Sequence, residues 1–302
     1  MRNARWISYI QQRRRRGSTA SSVENDTSSL PCITYINHLI SKHLNNECYR
    51  DERLRPVKYL NVPRRSAFIN SQLLVLVVVK WDDFSSRAQW RHTYASRENR
   101  IRYGYDVIFT VGADKDVDVQ SKIDAENELE GDILQADFVD SYRNLTLKML
   151  SAFRYIAVAL DTASIIMKID ADVGWRIKNL TEYQLAILSP CLLFHKVTKN
   201  FLMGSLYDAL TTNGMCRTKN THTTPSHHFA LNVHQQRFLW LEDVFITGIL
   251  ANNNEVTIIN IGHDKYFRAT TSMENFDIAW LFHITRRNLS VVELYRVLNN
   301  IF

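Results

Sequence analysis

The chain has 302 residues, 45% of them hydrophobic, which is enough to bury one large α/β core or two small ones and is an ordinary globular fraction. Its formal charge of +6 is unevenly placed, in an Arg13-to-Arg16 block and in a cluster of Arg53, Arg55, Lys58, Arg64 and Arg65. The acid-rich stretch from Asp114 to Asp140, and the lack of a recognisable nucleic-acid motif, argue for solvated charge rather than a nucleic-acid partner.

In chain order, residues 1 to about 30 are Arg- and Ser-rich and read as a flexible leader. Ile33, Ile36, Leu39 and Ile40 recur at near-helical spacing and predict a short stem helix. Pro56 and Pro63 punctuate the approach to the core, so residues 1–60 read as a basic, partly disordered leader and stem, and 61–302 as one domain. The core starts near Ser71, with Leu73 to Val79 as its first strand. Ser85 to Thr93 should be a helix with Arg87 and Arg91 on one face. Asp106 to Val111 reads as a second buried strand, ending at Gly112. An acidic helix follows from Val119 to Glu130, and Ile133-Leu134 suits a short strand. Leu145 to Leu160 is an amphipathic helix whose apolar stripe is Leu145, Met149, Ala152, Phe153 and Ile156. Ile165 to Ile169 is a third buried strand. Strands alternating with helices predict an α/β fold with a mostly parallel central sheet, whose ligands bind beyond the strand C-termini.

At the end of that third strand stands Met167-Lys168-Ile169-Asp170-Ala171-Asp172-Val173. Two carboxylates one residue apart, where a buried strand ends, offer hard oxygen ligands for Mg²⁺ or Mn²⁺. A paired turn of surface aspartates is the plainer reading of the same residues. The arginines at 87 and 91 carry guanidinium forks suited to phosphate, or are two exposed helix arginines. Cys32, Cys48, Cys191 and Cys216 have no C-x-x-C spacing, which argues against zinc and leaves one or two disulfides open. Sequons at Asn25, Asn144, Asn179 and Asn288 permit a secretory lumen. The longest apolar run, Leu73 to Val79, is far short of the about 18–20 residues a membrane span needs, and no apolar core follows the basic leader.

Four segments, in order, carry a resemblance. They are Arg87-Ala88-Gln89-Trp90-Arg91-His92-Thr93-Tyr94; Gly131-Asp132-Ile133-Leu134 through Asp137-Phe138-Val139-Asp140-Ser141-Tyr142-Arg143-Asn144-Leu145-Thr146-Leu147-Lys148; Lys168-Ile169-Asp170-Ala171-Asp172; and Glu242-Asp243-Val244. The chain resembles the β-1,3-galactosyltransferase family, glycosyltransferase family 31, over roughly residues 70 to 250.

The resemblance implies a GT-A-like, Rossmann-like nucleotide-sugar-binding domain in the Golgi lumen. It implies an inverting hexosyltransferase that moves galactose or N-acetylglucosamine from a UDP-sugar, with Mn²⁺ or Mg²⁺, to a glycan acceptor on a glycoprotein or glycolipid in β-1,3 linkage. It assigns the metal to Asp170 and Asp172, the donor nucleotide to Arg87, Arg91, Asp137, Lys148, Lys168 and Asp170, and the base to Asp243, with Glu242 as alternative. Asp140 and Asn144 are expected to cap and brace the helix after them. The family's tryptophan is Tyr94 here. Its Y-P-x-Y-x-x-G-x-x-Y segment has no counterpart; the polar stretch Cys216 to Pro225 stands there instead. That departure leaves an altered acceptor site, a catalytically impaired binding protein and an incomplete chain as alternatives.

Overall fold

A computed structural model describes residues 33–44, 48–64, 67–69, 71, 73–160, 165–179, 191–196, 211–216, 225–254, 257–260, 267–269, 281–283 and 290–300. Its strands are β1 (Tyr59–Asn61), β2 (Leu73–Val78), β3 (Tyr105–Ala113), β4 (Ile133–Val139), β5 (Ile165–Asp170), β6 (Val173–Trp175), β7 (Cys191–Lys196), β8 (Thr211–Cys216), β9 (Thr257–Asn260), β10 (Phe267–Ala269) and β11 (Leu281–His283). Its helices are α1 (Ile33–Leu44), α2 (Phe84–Arg91), α3 (Arg97–Tyr103), α4 (Val117–Glu130), α5 (Leu145–Ala159), α6 (Pro225–Asn232) and α7 (Val291–Leu298). A π-helical segment (Val244–Leu250) runs into one further α-turn (Ala251–Asn253).

Eight strands form one sheet in the order β1-β4-β3-β2-β5-β7-β8-β9. The five from β4 to β7 run parallel, and β1, β8 and β9 add antiparallel edges. The three strands expected from apolar runs therefore share one sheet, β2 lying between β3 and β5. Their near-continuous Val, Ile and Leu content follows from burial on both faces, the normal state of a parallel sheet. Along β2 the alternation of side chains sends Leu74 and Leu76 to one core, and Leu73, Val75 and Val77 to the other. A small second sheet, β10-β11-β6, lies beside β5 in the chain.

Local signals set the helix ends. Asp83 caps α2 by accepting from the Ser86 amide at 3.0 Å, and Asp116 caps α4. Helix α4 ends at Gly131, whose φ of 71° is the left-handed conformation that glycine adopts without a Cβ penalty.

Three expectations need correction. Residues up to 60 are not all outside the domain: α1 buries Ile36, Leu39, Ile40 and Leu44 in the same core as α5, and β1 pairs with β4. The stretch after Gly131 is a seven-residue strand rather than a two-residue one. Helix α5 is not amphipathic in place. Thirteen of its fifteen residues are buried, because α1 and α6 cover the side away from the sheet. Of the flanking helices, α7 was not foreseen, although Ser290 and Glu293 form a capping box at its start.

Candidate active site

A cleft of about 710 Å³ opens where the parallel strands end. Its walls are the turn after β2 (Val78, Val79, Lys80), the turn after β4 (Asp140, Ser141, Tyr142) and the turn after β5 (Asp170, Ala171, Asp172). Helix α2 adds Ser86 and Gln89, α5 adds Leu145 and Lys148, and α7 adds Val291 and Leu294. This is the carboxyl edge of the sheet, where open α/β folds place ligands.

The turn carrying Asp170 and Asp172 is fixed from two sides. The Ala171 amide donates to the Val78 carbonyl at 3.1 Å, and Trp90 Nε1 donates to the Ala171 carbonyl at 2.8 Å. Both carboxylates therefore sit on a braced rim, Asp172 exposed and Asp170 about one-third exposed. Hard oxygen donors with water access are the kind of ligand that Mg²⁺ or Mn²⁺ takes. Among the described residues no group of three or more His, Cys, Asp or Glu side chains is arranged to hold a metal, so these two are what the rim offers.

Beneath the rim lies a cluster that periodicity could not show. Lys168 on β5 is 5% exposed; its Nζ is 3.0 Å from Asp170 Oδ1 and 3.5 Å from Glu242 Oε2. Burial works against the ammonium, yet the charges of Asp170, Glu242 and Asp243 hold its pKa above the ordinary lysine value. Burial pushes Glu242 the other way, up to about 8. Asp243 and Asp170 add to the rise, and Lys168 opposes it. Asp243, the chain neighbour of Glu242, is half-buried. Both belong to the cluster and touch the cleft only through Lys168 and Asp170; neither lines it directly.

Lys148 and Asp140 form a second buried pair, at 2.8 Å. Asp140 also accepts from the amides of Trp81 (3.0 Å) and Gly112 (2.9 Å), and Lys148 donates to the Val79 carbonyl at 2.8 Å. Burial lowers the Lys148 pKa against the pull of Asp140. Asp140 therefore ties three turns together instead of capping α5, and Lys148 is a cleft residue whose donors are directed largely inward. Asn144 braces its own turn, its side-chain amide donating to the Val139 carbonyl at 2.8 Å.

The structure puts the other expected donor residues elsewhere. Arg87 is fully buried and grips Glu126 through Nε (2.9 Å) and Nη2 (2.5 Å), while Nη1 serves the carbonyls of Lys80 and Trp81. Arg91 is shared between Glu126 (2.6 Å) and Asp132 (2.7 Å). The two arginines clamp α2 to α4 and hold the Lys80–Trp81 turn from behind; neither lines the cleft. Asp137 is exposed on β4, its amide bonded to the Lys58 carbonyl, and is also not a cleft residue. Tyr94 is buried among Trp90, Trp175 and Tyr295 and accepts from the Trp175 amide at 3.1 Å. His283 belongs to β11 by its backbone, and its side chain lies outside the described residues, as does the stretch around His222.

Residues 85–223 match the galactosyltransferase family model. That match covers a little under half of the chain and makes its middle part similar to galactosyltransferases. Over 165 residues it is 27% identical to beta-1,3-galactosyltransferase 1 of Mus musculus and of Homo sapiens, covering 53% of this chain and 50% of theirs. Over 121 residues it is 36% identical to UDP-GalNAc:beta-1,3-N-acetylgalactosaminyltransferase 1 of Mus musculus, covering 38% of this chain and 36% of that one. The chain spans half or less of the length of these curated relatives. The family match takes in Arg87, Arg91, Asp137, Lys148, Lys168, Asp170 and Asp172; Glu242 and Asp243 lie past its end. The fold is that of a GT-A-like domain with a mostly parallel central sheet, and among the described residues no helix is long and apolar enough to cross a membrane.

Proposed function

We propose that this protein is an inverting, metal-dependent hexosyltransferase. It moves galactose, or a related N-acetylhexosamine, from a UDP-sugar to a hydroxyl of a glycan acceptor in β-1,3 linkage, in the Golgi lumen. The observation that carries the reading is the joining of the two segments on either side of the family match's end. Lys168 ion-pairs with both Asp170 on the cleft rim and Glu242, beside Asp243.

In this reading Asp170 and Asp172 would hold Mn²⁺ or Mg²⁺, which offsets negative charge on a departing diphosphate. Transfer with inversion is one displacement. The acceptor oxygen bonds to the sugar's anomeric carbon as the bond from that carbon to the phosphate oxygen breaks. Asp243 takes the acceptor's proton, and UDP leaves with the bonding pair. Asp243 suits the base role better than Glu242, because it is half-buried where Glu242 is only 5% exposed. Lys168 keeps the neighbouring carboxylates from repelling one another apart.

Calorimetry with UDP and Mn²⁺ tests the site. The wild type should bind, and the Asp170→Asn/Asp172→Asn double variant should lose metal-dependent binding while keeping its fold, since neutral amides cannot supply the charge. Equal affinity in the two proteins would remove the metal and donor assignments together.

A further inference from the structure

Tyr142 is 72% exposed and Trp240 is 40% exposed, and their ring centroids stand 5.9 Å apart with planes tilted by 57°. Tyr142 lines the cleft. Trp240 begins the segment that reaches Glu242 and Asp243 two and three residues on. Leu241 and Val244, on either side of the two acids, are exposed as well.

An exposed tryptophan on a loose loop would call for no explanation, but this one is anchored. Thr146, fully buried at the start of α5, donates its hydroxyl to the Leu239 carbonyl at 2.7 Å. The Phe238 amide donates to Asp51 at 2.9 Å, and the Arg53 guanidinium lies over the Phe238 ring. The backbone on the N-terminal side of Trp240 is thus pinned to two elements of the fold. The ring nonetheless stays in water beside Tyr142. Large aromatic rings held in place and left uncovered at the mouth of a polar cleft are a binding surface rather than a core defect.

We infer that Tyr142 and Trp240 form an aromatic ledge for the acceptor sugar; this rests on the transferase reading above. A hexopyranose has one face of C–H groups and an edge of hydroxyls. The C–H face matches an aromatic ring, and the hydroxyl edge is left to meet the polar cleft that Tyr142 lines. A sugar also needs no charge partner, and the ledge carries none.

Saturation-transfer NMR on the full chain with methyl β-galactoside, with UDP and Mn²⁺ present, tests the ledge. The C–H protons of one sugar face should saturate most strongly in the wild type. Trp240→Ala should weaken sugar binding about tenfold, Trp240→Phe should keep most of it, and Tyr142→Leu should weaken it less than Trp240→Ala. UDP affinity should stay within about twofold in the two Trp240 variants, a value that also reports an intact fold. No saturation in the wild type, or equal saturation in wild type and Trp240→Ala, would overturn the ledge. Self-association that Trp240→Ala abolishes, without any sugar signal, would overturn it in favour of a second copy of this chain. Transfer assays separate the two levels. Sugar binding that depends on Trp240 without any transfer supports the ledge and removes the transferase reading. Transfer with an unchanged acceptor KM in Trp240→Ala does the reverse.

Discussion

Glu242 is a carboxyl that folding moves away from its ordinary behaviour. Its pKa is 4.5 as a reference and about 8 in the fold, with burial as the main cause. Between those values the folded state keeps a proton that the unfolded state releases. Stability contributed by this group is therefore present at low pH and is lost as pH rises through that window. Urea unfolding across that window should show a falling trend that Glu242→Gln flattens. Parallel trends in the two proteins would mean that Glu242 does not hold its proton. Lys168→Met should cost about 3–5 kcal/mol in the same assay, because it strands neighbouring buried acid without its cation. Arg87 makes a sharper case. As a clamp on Glu126 and on the Lys80 and Trp81 carbonyls, its replacement by Ala should cost about 3–5 kcal/mol of stability. UDP affinity of the folded variant should change little; a stable Arg87→Ala protein that no longer binds UDP would instead return the residue to the nucleotide.

Turns between elements decide the shape of the cleft, and Gly112 near the end of β3 shows how tightly they are set. A Cβ there would lie 2.7 Å from the Phe138 ring and 2.8 Å from the Phe138 carbonyl oxygen, with the Asp140 Cα at 3.0 Å. Backbone cannot yield as a flexible side chain can, so Gly112→Ala should destabilise by about 1–3 kcal/mol. It should also weaken UDP binding, since Asp140 holds the turn after β2 through the Trp81 amide and holds Lys148 in the cleft wall. Thermal unfolding and calorimetry on that variant check both, and a variant with wild-type values would show the contact to be slack. The elements themselves were legible where apolar runs were long. β2, β3 and β5 read directly from Val, Ile and Leu, α2 from the arginines sharing one face, and α4 from its acidic run. What pattern alone could not give was burial by neighbours distant in sequence: α1 and α6 covering α5, and β1 joining the sheet edge from what reads as a stem.

For the molecule as a whole, the site is assembled from turns and helices spread along the chain from Val78 to Leu294, which explains how much of it could be read beforehand. The position of Asp170 and Asp172 on the cleft rim was legible because the apolar run before them marks where a buried strand ends. Lys148 reached the cleft as the motif suggested, though most of its bonds face inward. Arg87, Arg91 and Asp137 were misplaced because spacing shows which residues share a face and not which acids wait opposite. The Glu126 and Asp132 partners of the two arginines come from α4 and the turn after it. Asp140 and the Tyr142–Trp240 pair could be found only in three dimensions. The central claim is that this cleft, with Asp243 beside it, transfers a hexose with inversion. The direct measurement is product formation from UDP-galactose and a β-galactoside acceptor with Mn²⁺, with the new linkage assigned by NMR, in wild type and Asp243→Asn. The account predicts a β-linked product in the wild type, with kcat about 100-fold lower in Asp243→Asn at unchanged UDP affinity. An α-linked product, or equal kcat in the two proteins, would contradict it.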